Sequence, residues 1–186
     1  MASEDDAWTV EAEEVVFSAQ PFLQVCRQRV RTTSGRVVDD YYQVTFPDFA
    51  ICCAITTDRR IITLWQYKHG ARASGLTFPA GIIEPGEPPE EAMRRELLEE
   101  TGYAAGAARF LGRYVCNSNQ GAGWAHLFIL EDCTPVAEAA SGDLETMALR
   151  LMDPRDVDAA VRAGKVKGLP HLAVWMAARQ IDPARF

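Results

Sequence analysis

The sequence predicts an α/β protein, a mixed sheet with helices packed on it, preceded by an antiparallel strand region. Two observations carry this. β-rich runs come first, then one acidic helical stretch, then further strands and two closing helices, an order that lays helices against a sheet. A chain of 186 residues with 48% hydrophobic and 24% charged residues can also bury one sizeable core, and has little room for a second full domain.

From the N-terminus, Trp8 to Ala19 holds an apolar burst at Val15-Val16-Phe17 that reads as a first strand after an acidic end. Leu23, Val25, Arg27, Arg29 and Arg31 alternate with Phe22, Gln24, Cys26, Gln28 and Val30, the period of an extended strand. Ser34-Gly35 turns the chain and Val37 to Phe46 returns, a hairpin that must pack on something because it buries little by itself. Phe49 to Thr56 and Arg60 to Gln66 form a second hairpin around Thr57-Asp58-Arg59. The division expected is an N-terminal strand region over residues 1–46, part of the same unit, and the main domain over 47–186.

Charge and cysteines limit the partners. A formal charge of −7 argues against nucleic acid, whose binding rests on neutralised phosphates. Five cysteines, an odd number with no CxxC pair, fit a reducing cytoplasmic setting, with Cys52 and Cys53 as small buried strand residues. Met1 to Val10 is acidic where a signal peptide is basic and apolar, and no run is long enough to span a membrane.

The stretch from Gly81 to Tyr103, GIIEPGEPPEEAMRRELLEETGY, holds residue types that folding alone does not call for. Pro88 and Pro89 can open a helix and Gly102 can close one in the left-handed conformation, which predicts a helix over Glu90 to Thr101. At 100° per residue Glu96, Glu99 and Glu100 fall within an arc of about 100°. Like charges at i,i+4 destabilise a helix unless a cation offsets them. Hard divalent cations take such oxygen donors, and Mg²⁺ pairs a few carboxylates with substrate phosphates. Arg95, one turn before Glu99, is placed to orient it.

Gly81, Glu87, Arg95, Glu96, Glu99, Glu100 and Gly102 match, position by position, the box of the Nudix hydrolases, which this chain resembles. Leu97 fills one hydrophobic position of the box, and Tyr103 stands where an aliphatic residue is more usual. The resemblance implies a Nudix α/β/α sandwich with a mixed sheet. It also implies Mg²⁺ or Mn²⁺ held by Glu96, Glu99, Glu100 and the Gly81 carbonyl, with Glu87 auxiliary, and catalysis resting on Glu100, Glu99 and Arg95. The branch resembled is that of the ADP-ribose pyrophosphatases and nucleoside diphosphate sugar hydrolases. There the N-terminal strands form much of a homodimer interface.

Flanking residues extend the resemblance, with departures. Trp65-Gln66-Tyr67-Lys68 ends at Lys68 where the family often has arginine, so a substrate clamp there keeps its charge and loses the bidentate fork. Thr77 replaces a glutamate two residues before Pro79, and Asn119 replaces the proline typical of ADP-ribose pyrophosphatases. Arg109 to Cys116 and Trp124 to Asp132 read as strands around a loop, with Tyr114 and Trp124 able either to stack on a base or to sit in the core. Cys133 to Asp143 reads as a loop, and the resemblance places at its end a glutamate that closes on the metals, Glu145 first and Asp143 next.

Met147 to Met152 is a strand. Asp153-Pro154 opens a helix to Ala163, and Leu169 to Gln180 is a last helix with Leu172, Trp175 and Met176 on one face. His69 reads as a solvated loop residue, His126 as a strand histidine and His171 as a surface residue. The substrate implied is a nucleoside diphosphate sugar, ADP-ribose first. GDP-mannose, another nucleotide sugar or a dinucleotide is the alternative, and a non-catalytic sensor of nucleotide sugars a further one.

Overall fold

The computed structural model describes residues 7–142 and 146–186, which group into two units, Met1–Pro47 with Val115–Trp124, and Asp48–Tyr114 with Ala125–Phe186. In the first unit β1 (Thr9–Ala19), β2 (Leu23–Arg31) and β3 (Val37–Thr45) form an antiparallel sheet in sequence order. The alternating arginines of β2 are answered across the ladder: Glu11 accepts from Arg29 Nε at 3.0 Å and from Arg31 Nε at 2.6 Å, and Arg27 meets Glu14 at 2.9 Å. Cys26 and Val30 are buried on this strand. Val44 N–H donates to the Gln120 carbonyl at 2.8 Å and Tyr41 Oη to the Asn119 carbonyl at 2.6 Å, so the segment 115–124 supplies part of this unit's packing.

The second unit is built on β4 (Phe49–Thr56), β5 (Ile61–Lys68), β6 (Ala73–Thr77), β7 (Ala80–Ile82), β8 (Tyr103–Ala104), β11 (Met147–Met152) and most of β9 (Ala107–Asn117) and β10 (Ala122–Pro135), whose ends at Val115–Trp124 belong to the first. Five of them run in the order β11-β5-β4-β10-β8, while β6 pairs with β5, β7 with β4 and β9 with β10. β4 and β10 are parallel, whereas β4 meets β5 and β7, and β5 meets β6 and β11, in antiparallel fashion. The sheet is therefore mixed.

Both faces of β4 are covered, which is why its sequence is continuously apolar rather than alternating. Ala50, Cys52 and Ala54 pack with Met93 and Leu97 of α1 (Pro89–Thr101). Ile51, Cys53 and Ile55 pack with Val157 of α2 (Pro154–Arg162) and with Val174, Trp175 and Ala178 of α3 (Leu169–Ile181). This is the expected α/β/α sandwich. All five cysteines are free thiols, and Cys52 and Cys53 are fully buried, as expected. Among the described residues no helix is long and apolar enough to cross a membrane.

Several details differ from expectation. The hairpin partner β6 goes unread in the sequence because Gly70, Gly75 and the turn at His69–Ala71 break its pattern. On α3 the buried face is Val174, Trp175 and Ala178, while Met176 is exposed, since Trp175 stacks on Phe78 and sets the helix rotation. Tyr114 is 51% exposed, so it is no core residue. Asp143 and Glu145 lie outside the described residues.

The end of α1 is fixed by Gly102 at φ 75°, whose N–H donates to the Leu98 carbonyl at 2.8 Å. Its own carbonyl accepts from Val136 N–H at 2.9 Å and Ala137 N–H at 3.1 Å, and Ala140 N–H caps the Glu99 carbonyl at 2.8 Å. A methyl group at Gly102 would meet the Ala137 carbonyl. Gly102→Ala is therefore expected to destabilise the protein by about 2 kcal/mol or more, combining left-handed strain with that clash, read as a lowered urea midpoint at unchanged slope.

Candidate active site

The site is assembled where β7 runs into the turn before α1. Gly81 pairs with Ala50 on β4, and the chain then turns at Glu84, whose N–H donates to Glu87 Oε2 at 3.0 Å. The helix starts at Pro89 with Glu90 and Glu91 in its first turn, where carboxylates suit the positive end of the helix dipole. One guanidinium then gathers the acids. Arg95 Nε and Nη2 each donate to Glu87 at 2.9 Å, a bidentate pair. Arg95 Nη1 reaches Glu96 at 2.8 Å and Glu99 at 3.1 Å, and Nη2 also donates to the Ile82 carbonyl at 3.0 Å.

Glu100 is placed differently. It follows Met93 and Leu97 on the stripe that faces the sheet, and it is only 6% exposed. A buried carboxylate is costly unless hydrogen-bonded, and Glu100 Oε2 accepts from the Ala80 N–H at 3.0 Å. Gly81 is tied to the same helix by contact, since a methyl group on its Cα would overlap the Glu96 carboxylate. A side chain at this position would displace the Glu96 carboxylate from its place beside β7.

Arg95 holds the Glu87 carboxyl down at about 2 from an ordinary 4.5, with the Glu84 N–H assisting. Glu87 raises Arg95 in return, with Glu96 adding to it. On the sheet below, burial pushes the Cys52 thiol well up, helped by the charges of Cys133, Cys53 and Glu100. These thiols are thus inert neighbours of the acids rather than ligands.

Among the described residues no group of three or more His, Cys, Asp or Glu side chains converges as a ready metal cage. Glu96 and Glu99 face Arg95 Nη1, and Glu100 turns to Ala80. The donors nonetheless fit a hard divalent cation in kind: three carboxylates from one helix, with the Glu96 carboxylate lying against the Gly81 backbone.

The other expected residues are scattered. Lys68 lines a cavity of about 270 Å³ together with Gly81, Ile82, Phe49, Gln66 and His171. Trp124 is half-buried in the first unit. Tyr114 lies back over Gly112, its hydroxyl donating to the Leu111 carbonyl at 3.3 Å. His171 is not the surface residue expected: its Nδ1 accepts from the Phe78 N–H at 3.1 Å, and burial, with Lys68 nearby, lowers its pKa to about 4. Neither Gln66 nor His171 was legible from the sequence as lining this cavity, although Gln66 stands two places before Lys68 on the same strand face.

A mixed sheet between two helix layers, with an arginine-clasped row of glutamates beside a glycine, is the architecture of a Nudix hydrolase. Residues 46–172 match the NUDIX domain model, and the chain belongs to that family as a pyrophosphohydrolase related to the ADP-ribose pyrophosphatases. It is 28% identical to the ADP-ribose pyrophosphatase of Bacillus subtilis (strain 168) over 148 residues, covering 67% of this chain and 80% of that one. It is 30% identical over 94 residues to the ADP compounds hydrolase NudE of Escherichia coli (strain K12), half of each chain. The crystal structure of an ADP compounds hydrolase superposes with a TM-score of 0.76 at 19% identity, over 96% of this chain and 95% of that one, and so shares its fold.

The Glu87–Arg95 pair has a pH consequence. Because the folded-state pKa lies below the ordinary value, its contribution to stability is full above about 4.5 and is lost as pH falls toward about 2. Glu87→Gln should lower Tm at pH 7, and the gap from wild type should close between pH 5 and pH 2 in thermal unfolding followed by circular dichroism. A gap that stays constant over that range would contradict the pairing.

Proposed function

We propose that this protein hydrolyses the diphosphate of a nucleoside diphosphate sugar with the help of Mg²⁺ or Mn²⁺, ADP-ribose first, to AMP and ribose 5-phosphate. The observation that carries the reading is the carboxylate row of α1, complete and oriented by Arg95 against the Gly81 backbone. The name of the Bacillus subtilis relative supports the choice of substrate.

Glu96, Glu99, Glu100 and the Gly81 carbonyl would hold the cation, and Glu87 acts through Arg95. When bound, the cation supplies charge neutralisation at the diphosphate and acidifies the attacking water. In the hydrolysis a water oxygen bonds to one phosphorus, its proton passes to solvent, the bridging P–O bond breaks, and the departing phosphate takes the electron pair. Glu96 and Glu99 would be the acids that turn from Arg95 Nη1 to such a cation, and the Nε and Nη2 pair with Glu87 would keep the helix in register with β7. Glu100, fixed by the Ala80 N–H, is the innermost acid and the one whose charge is hardest to replace. Lys68 meets a substrate phosphate as a point charge. The assigned roles extend to Glu145, which lies outside the described residues.

The setting proposed is cytoplasmic and homodimeric. Val15, Val16 and Phe17 on β1 and Phe22 beside it are exposed, an apolar edge of the kind that a second copy covers.

Glu100→Gln keeps an acceptor for the Ala80 N–H and should fold with Tm within a few degrees of wild type. Its kcat should fall by at least about a hundredfold, and chelation by EDTA should abolish wild-type turnover. AMP release from ADP-ribose, measured beside GDP-mannose and a dinucleotide, reads both effects. A Glu100→Gln enzyme running at the wild-type rate, or a wild type indifferent to EDTA, would end this mechanism.

A further inference from the structure

His171 is held by one ring nitrogen and leaves the other open. It stands in the first turn of α3, after the N-cap Gly168, and is partly buried in the lining of the cavity beside Gly81. Nδ1 accepts from the Phe78 N–H at 3.1 Å. A backbone N–H can only donate, so Nδ1 is the bare nitrogen and the proton of the neutral ring sits on Nε2. The Cδ2 edge lies against Gly168, where a methyl group would come within 2.7 Å of it. With one edge on Phe78 and the other on Gly168, the Cε1–Nε2 tip is what the ring turns to the cavity. Among the described residues Nε2 has no hydrogen-bond partner, and unlike the unpartnered Gln66 Oε1 it is not sealed from solvent.

A ligand atom that answers Nε2–H has to be an acceptor. Lys68 lines the same cavity, and burial, with that charge nearby, lowers the His171 pKa to about 4 and keeps the ring neutral near pH 7. The two side chains therefore offer one positive charge and one directed donor. An anionic oxygen accepts from such groups more strongly than a hydroxyl does. Ala80, Gly81 and Ile82 line this cavity too, on the strand that meets the acids of α1. From this placement we infer that His171 is a substrate-binding residue, its Nε2–H donating to a nonbridging oxygen of the diphosphate. This deepens the proposed function and rests on it for the identity of the diphosphate. Phe49 and Pro170 give the cavity apolar walls, beside which such a hydrogen bond is stronger than in water.

A purely structural role makes a different demand. If the ring served only the Phe78 N–H, any acceptor at the Nδ1 position would replace it. Asparagine places an amide oxygen near that position and has nothing at Nε2. Glutamine reaches the Nε2 position with an amide N–H and gives up the bond to Phe78. The two substitutions thus separate holding Phe78 from holding substrate.

The test uses the full chain with Mg²⁺ and methylenediphosphonate, a diphosphate analogue that cannot be hydrolysed, with methyl β-riboside for comparison. The chain has three histidines, so ¹⁵N spectra of their rings resolve His171. Nε2 should be protonated and Nδ1 bare at pH 7, and the Nε2 resonance should move on adding the diphosphonate and stay in place with the riboside. In calorimetry His171→Asn should weaken diphosphonate binding at least about tenfold with Tm near wild type, and His171→Gln should bind within about threefold of wild type with a lower Tm. An Nε2 resonance that ignores the diphosphonate, or that answers the riboside instead, overturns the inference with no variant needing to fold. So does a His171→Asn protein that binds as tightly as wild type, since that leaves His171 to Phe78 alone. If the diphosphonate results are as expected but no nucleotide sugar is cleaved, the proposed reaction falls and this contact stands.

Discussion

The guanidinium of Arg95 is the interaction on which the site depends. It bridges Glu87 in the turn, Glu96 and Glu99 on its own helix, and the Ile82 carbonyl at the end of β7. Without it, three acids on one helical face repel one another and nothing specific ties the turn to the helix. An isolated surface ion pair contributes little, about 0–1 kcal/mol. Here the pairing with Glu87 is bidentate, the side chains of Glu87 and Glu96 are each only 16% exposed, and the four acceptors are shared, so the network fixes register rather than merely adding attraction.

That register has to agree with the sheet underneath. α1 lies on β4 through Met93 and Leu97, and the same stripe continues into Glu100, which is consequently carried down to the Ala80 N–H. Gly81 allows β7 to come against Glu96, and Gly102 lets the chain leave the helix in the left-handed conformation. The two glycines act at opposite ends of one constraint: a helix bearing acids must sit close to a strand, and must stop before the fold carries it away.

The opposite face of the sheet is closed by aromatic and aliphatic packing from α2 and α3. Phe78, Trp175 and His171 lock the start of α3 against the strand that precedes Gly81, and the cavity with Gln66 and Lys68 opens beside them. The inert buried cysteines of β4 separate this face from the acids above. Ala80, Gly81 and Ile82 of β7 both meet the charged side chains of α1 and line the cavity.

What the sequence by itself determined is whatever depends on near neighbours in the chain: the helix bounds at Pro89 and Gly102, the acid face of Glu96, Glu99 and Glu100 with Arg95 one turn away, and the doubly covered strand of Phe49 to Thr56. Helical and strand periods put these residues together whatever the rest of the chain does. Only the tertiary structure decided that Arg95 reaches Glu87 and the Ile82 carbonyl, that Glu100 faces inward to Ala80 and that His171 caps Phe78. Those facts join residues as far apart as Phe78 and His171, and their outcome turns on how two helix layers settle on a twisted sheet, which no local spacing encodes.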